Sequence, residues 1–193
     1  MFFIPGQIIA ALTFPGVIVH ETAHLFFCKR FKLKVYDVCF LRFGNPAGYV
    51  IHENSDNFTA QFFVSVGPFI INTLLCMVFC TAAFLPVREL KVVDPLAYFF
   101  YWLGISIGMH AFPSTVDLSH LWKAAPALAK KGNLLAILSL PFCAVLLVLN
   151  YGRVIWADLG YGILVGMWGR VRSSERSVGY ESLKREFAGR SID

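Results

Sequence analysis

The feature that most constrains this chain is where its charges are missing. No Asp, Glu, Lys or Arg occurs in 1–20, 57–87, 95–116, 132–152 or 159–169. About 20 uncharged, mostly apolar residues are what a helix needs to cross bilayer hydrocarbon. A loop or an open sheet cannot do so, because its backbone N–H and C=O groups would go unpaired there. The first four runs are long enough to cross, while the fifth is short, glycine-rich and preceded by Asp158. With 57% hydrophobic and 15% charged residues in 193, the composition is that of a membrane protein. The expected fold is an all-α polytopic membrane protein of four to five transmembrane helices, at about 3–28, 58–86, 95–112, 133–152 and, for the uncertain fifth, 154–169. Residues 1–169 then form one transmembrane domain and 170–193 a charged tail. Tyr180, Leu183 and Phe187 among charges of both signs suit either an amphipathic helix on headgroups or a frayed terminus.

The first run has neither a basic leader nor a small-residue cleavage site, so it reads as a retained helix. The intervening stretches set the orientation: 29–56 carries Lys29, Arg30, Lys32, Lys34 and Arg42, 117–131 carries three basic residues and 170–193 six, against only Arg88 and Lys91 in 88–94. The positive-inside rule therefore puts 29–56 and 117–131 in the cytoplasm, and a cytoplasmic tail requires the fifth segment to cross. The net charge of +5 flanks apolar runs in this way, which points to a lipid bilayer and not to nucleic acid. Five cysteines, Cys28, Cys39, Cys76, Cys80 and Cys143, lack metal-ligand spacing and read as small core residues. Residues 33–52 are rich in β-branched and aromatic side chains and are split by Gly44-Asn45-Pro46, the pattern of a small membrane-surface β-hairpin. His52 and Glu53 close its second strand as solvated residues.

Within the first apolar segment stands His20-Glu21-Thr22-Ala23-His24. On a helix, His20 and His24 share one face about 5–6 Å apart, suited to two ligands of one tetrahedral zinc ion, and Glu21 is offset so that it can reach a water at the metal as general base. Random placement predicts about 0.004 such motifs in a chain with this His and Glu content. A carboxylate at membrane depth also costs at least about 2.5–3.5 kcal/mol on insertion scales, so it is retained for a partner or a task. The bland alternative is an interhelical hydrogen-bond cluster. Catalytic zinc takes three protein ligands, and the third has three candidates where the third apolar segment gives out: His110, Asp117 and His120. At 1.5 Å per residue, His20 lies about 13 Å inward of Lys29, below the cytoplasmic surface yet within reach of water. Pro15 and Gly16, one turn earlier, either bend this helix or are ordinary punctuation. Asn72 either touches substrate or an oxyanion, or ties the first two helices together. Asp158 reads as structural or topogenic.

Together, HETAH in the first segment, VSVGPFIIN in the second and FPSTVD after the third resemble the site-2 protease family of intramembrane zinc metalloproteases, over about residues 10–120. The resemblance implies zinc held by His20, His24 and Asp117, with Glu21 as base and Gly67, Pro68 and Asn72 matching the family's middle motif. Leu118 stands where the family usually has glycine after the aspartate, and the PDZ modules common in larger members have no counterpart here. The expected activity is that of a zinc-dependent membrane endopeptidase with one Zn2+ per chain, active toward the cytoplasmic side on a transmembrane or juxtamembrane substrate. An extended substrate would pair with the hairpin at Tyr49 and Ile51, since a helical peptide bond must unwind to be cut. The rivals are a membrane metal carrier or sensor, which has no need of Glu21, and an inactive scaffold of the same fold.

Overall fold

The computed structural model describes residues 6–89, 95–152 and 156–167; the tail 170–193 lies outside them, as do both ends of the expected segment 154–169. Among the described residues the chain runs α1 (Gly6–Leu12), α2 (Phe14–Arg30), β1 (Val35–Cys39), β2 (Tyr49–His52), α3 (Phe58–Glu89), α4 (Pro95–Met109), α5 (Thr115–Ala129), α6 (Leu134–Tyr151) and α7 (Ala157–Met167). It is a mostly helical protein with one two-stranded antiparallel hairpin. Phe58–Phe84 and Leu134–Tyr151 are long and apolar enough to cross a membrane, and α1 with α2 adds a third span if the bent pair is counted as one.

That bend corrects the expectation of a single helix over 3–28. α1 and α2 meet at 86°, because Pro15 in the first turn of α2 has no N–H to return to Ala11 and its ring crowds the preceding turn. Thr13 closes α1, giving both its N–H (2.9 Å) and its hydroxyl (2.6 Å) to the Ile9 carbonyl. Two carbonyls at the break are met from α4: Trp102 Nε1–H donates to Leu12 O at 3.1 Å, and the Ser106 hydroxyl donates at 2.9 Å to Thr13 O, which also accepts from Gly16 N–H at 3.0 Å. In an apolar surrounding, each such group left unpaired costs several kcal/mol. Gly16 lets α4 come this close, since a Cβ there would stand 2.0 Å from Ser106 O.

α2 ends in a double closure on its own last turn: Lys32 N–H donates to Lys29 O and Leu33 N–H to Cys28 O, with Lys32 in the left-handed region at φ 57°. β1 pairs with β2 from Val35↔His52 to Cys39↔Tyr49, with a bulge between Val35 and Asp37. α3 packs along both α2 and α4, and α5 pairs with α6 as a helical hairpin that also touches α3. The core between these groups holds Phe58, Val66, Phe112, Leu118, Leu121 and Leu146.

α5 is a second departure, since 117–131 carries enough charge to read as a connecting loop. Its buried Leu118, Leu121 and Ala125 fall at helical spacing and face α6, while Lys123, Lys130 and His120 lie outside that stripe. α4 and α7 are apolar but have 15 and 11 residues, about 22 and 16 Å of helix against roughly 30 Å of hydrocarbon.

Candidate metal centre

Three elements converge on one point. α2 carries His20 and His24 one turn apart, their Nε2 atoms 3.2 Å from each other and their rings edge to face. α5 brings Asp117, whose Oδ2 is 3.7 Å from His24 Nε2. One ligand atom from each residue lies within 4.8 Å of the other two.

The outward hydrogen bonds of the imidazoles fix what they present inward. His20 Nδ1 is 2.6 Å from the His110 carbonyl, and His24 Nδ1 is 2.8 Å from the Val64 carbonyl. A carbonyl oxygen only accepts, so Nδ1 carries the proton in both rings and each Nε2 turns a lone pair toward the other. Two lone pairs at 3.2 Å with no hydrogen between them repel unless a cation lies between. Tetrahedral bonds of 2.0–2.1 Å would put two nitrogen ligands of zinc about 3.3 Å apart. The residues therefore fit such an ion, and the carbonyl partners are the outer support that metal-bound imidazoles use to hold ring orientation.

Asp117 is aimed by its own helix start. Ser114 caps α5: its hydroxyl accepts from Asp117 N–H at 3.1 Å, while Asp117 Oδ2 accepts from Ser114 N–H at 2.8 Å and from its hydroxyl at 2.7 Å. Ser114 is the positioning residue that the sequence reading passed over. The signal was present as Ser-x-x-Asp directly after Pro113, a helix-start pattern.

Glu21 is buried, 8% exposed, and faces a cavity of about 660 Å³ whose walls include His20, His110, Phe112, Ser114 and the 44–48 loop. The hairpin sits directly over it: a Cβ on Gly48 would come 2.7 Å from Glu21 Cγ. Glu21 is thus beside the ligand group and outside it. Asp158, at the start of α7, lines the same cavity.

The remaining predicted residues fall elsewhere. His110 supplies its backbone carbonyl to His20, and its own Nδ1–H donates to Ser106 O at 3.0 Å. His120 is exposed on α5 and lines a second cavity of about 200 Å³ together with Asp117 and His52. His52, expected to be solvated, is half-buried there.

Asn72 makes the contacts expected of a residue that ties helices together. It is fully buried, and its Nδ2 lies 3.4, 3.1 and 3.0 Å from the carbonyls of Gly16, Ile107 and His110. With its amide nitrogen turned to carbonyls of both, it braces α2 and α4. It shares the His110 carbonyl with His20 and so helps fix the atom that orients that imidazole. Gly67 leaves room for the Phe27 ring of α2, which a Cβ would meet at 2.1 Å, and Pro68 is buried inside α3.

The hairpin corrects another expectation by one residue. Glu53 N–H donates to Lys34 O, and Ala47 O accepts from Arg42 N–H. Backbone groups of alternate residues face the same way in a strand, so those of Tyr49 and Ile51 are committed to β1. The outward donors of β2 are Val50 and His52. Tyr49 OH donates to Asp37 Oδ2 at 2.8 Å, which pushes its phenol above the ordinary value.

No protein-family model, curated protein or solved structure matches this chain.

Proposed function

We propose that this chain is a multi-pass membrane zinc metalloprotease that hydrolyses peptide bonds within or beside a transmembrane segment, a reading that its likeness to the site-2 protease family supports. The observation that carries it is the pair of facing Nε2 atoms 3.2 Å apart, joined by a carboxylate from another helix, with a buried glutamate next to them on the wall of the cavity of about 660 Å³. His20, His24 and Asp117 would hold the ion. Zinc bound there supplies Lewis acidity, which acidifies water toward a pKa of about 7 and polarises a carbonyl.

The residues of the chain do the rest. Glu21, on the cavity wall, accepts the proton of the attacking water and returns it to the leaving amine nitrogen. His110 and Val64 carbonyls hold the imidazoles, and Ser114 holds Asp117. The outward N–H groups of Val50 and His52 offer hydrogen bonds to a substrate strand that has lost its own helical ones. The 44–48 loop packs on Glu21 and forms one wall of the cavity that a substrate would enter.

We read α4 as a further crossing, giving four spans, or five with α7; shortness is tolerated where helices pack against protein. Stretches 29–56 and 117–131 then both face the cytoplasm, with the centre below that surface.

The test is zinc content and proteolysis of wild type and Glu21→Gln, reconstituted in liposomes with single-pass membrane peptides and read by mass spectrometry. Zinc in both proteins and cleavage by wild type alone is the expected result. Equal cleavage by both would remove Glu21 as base. Zinc without any cleavage would favour a carrier or sensor, and neither zinc nor cleavage a scaffold.

A further inference from the structure

The ligand group is approached by two separate cavities. The larger reaches His20 and Glu21, and the smaller, about 200 Å³, reaches Asp117 from the other side. Asp117 is the one described member of the ligand group that lines the smaller cavity. Its other polar walls are His52, His120, Asn54, Ser55, Gln61 and Ser65, and among the described residues no Lys or Arg lines it. At roughly 30 Å³ per water, this space holds about seven waters, room for a divalent ion with its first hydration shell.

Its histidines are graded in depth. His120 is exposed and His52 is half-buried. His52 Nδ1–H donates to Glu53 O at 2.9 Å, so its Nε2 keeps the lone pair, the same tautomer that His20 and His24 adopt. Imidazole suits borderline ions such as zinc, and carboxylate adds charge without excluding them. A bare ion cannot cross an apolar wall, and a hydrated one must trade waters for ligands before it reaches a buried His, His, Asp group.

We propose that the cavity between β2 and α5 is a metal-loading port, in which His120 and then His52 take a divalent transition-metal ion from solution and pass it by ligand exchange to Asp117, and so to His24 and His20. This rests on the metal reading above and adds to it a path and two residues. None of residues 44–48 lines the port, so an ion can enter without displacing that loop. His52 and His120 act as transient ligands and have no place in the final set. Their loss raises the barrier for entry and exit together and leaves equilibrium affinity alone.

The experiment uses the full chain in lipid nanodiscs, stripped of metal by dialysis against a chelator. Zinc is offered from a zinc-loaded fluorescent chelator, and uptake is followed by stopped flow. His52→Ala/His120→Ala should take up zinc at least about tenfold more slowly and release it more slowly by the same factor, reaching one zinc per chain with an unchanged Kd. His52→Gln/His120→Gln, which keeps volume and polarity without good ligation, should behave alike. Uptake by the alanine variant at the wild-type rate overturns the port. Wild-type uptake by the glutamine variant also overturns it, since hydration alone would then suffice. A lost or weakened equilibrium site would make one of these histidines a resident ligand and overturn the transient role. Failure of the wild-type chain to take up zinc at all would overturn both the port and the metal reading beneath it.

Discussion

Ser114→Ala tests whether the start of α5 is part of the metal centre. The hydroxyl gives Asp117 Oδ2 its 2.7 Å hydrogen bond and accepts from Asp117 N–H at 3.1 Å, while the backbone bond from Ser114 N–H at 2.8 Å survives the substitution. Loss of a helix cap costs about 1 kcal/mol of stability, within a range of 0.5–2. A hydrogen bond to a charged acceptor contributes about 1.5–3 kcal/mol. Only the part that holds Oδ2 toward His24 bears on the ion, and one of two such bonds remains. The expected loss of zinc affinity is therefore about tenfold, or about 1.4 kcal/mol, at the low end of what outer-support substitutions cost metal sites.

Chelator competition measures it directly, with circular dichroism of the apoprotein reporting the cap separately. Ser114→Thr keeps the hydroxyl and should bind zinc within about twofold of wild type, because Thr is an adequate cap. Wild-type affinity in Ser114→Ala would refute the reasoning: either Asp117 is held by the backbone alone or it is not a ligand. Equal losses in the Ala and Thr variants would refute it too, by making the effect one of packing.

Three further outcomes are expected. Asp117→Ala should lose zinc together with any peptidase activity, whereas His120→Ala should keep one zinc at equilibrium, as atomic absorption on the purified variants would show; the reverse order would transfer the ligand role to His120. Single cysteines placed at Asp56 and Lys130, labelled with an impermeant maleimide in sealed vesicles, should react from the same side, and labelling from opposite sides would break the four-crossing topology. Val50→Pro removes an outward donor without breaking the β1–β2 ladder and should slow cleavage by about tenfold with zinc retained, while Ile51→Pro should disrupt the hairpin itself; unchanged turnover in folded Val50→Pro would take β2 out of substrate binding.

Long apolar runs were legible almost to the residue, because burial of backbone in hydrocarbon leaves so few alternatives: 58–86 corresponds to α3 and 133–152 to α6 (Leu134–Tyr151). The hairpin was legible from its alternating β-branched and aromatic residues around Gly44-Asn45-Pro46. Hydrophobicity says nothing about direction, however, so the 86° turn between α1 and α2 was hidden in a continuous uncharged run. Pro15 announced it only as a possibility, since proline in a membrane helix often does no more than bend it. α5 was missed for the opposite reason: Lys123, Lys130 and Lys131 made 117–131 resemble a loop, and the apolar stripe Leu118, Leu121, Ala125 covers only one face. His20, Glu21 and His24 could be placed because their spacing is local. Asn72 and His52 could not, because what they touch comes from α2, α4 and α5, far away in sequence.

The break in the first apolar run and the orientation of His20 share one set of atoms. A straight helix through residue 13 would satisfy its own carbonyls and leave Ser106 and Trp102 of α4 without the acceptors they now use. With that ladder stopped at Pro15, α4 lies close enough to α2 for Trp102 and Ser106 to reach the Leu12 and Thr13 carbonyls, an approach that Gly16 permits. That approach sets His110 O 2.6 Å from His20 Nδ1 and within 3.0 Å of Asn72 Nδ2. The carbonyl of His110 is itself available because α4 has ended at Met109, so no later turn of that helix claims it. Two helix termini, each a liability in an apolar medium, are thus spent on each other and on one imidazole. The proton on His20 Nδ1, and with it the inward lone pair on Nε2, follows from where these two helices stop.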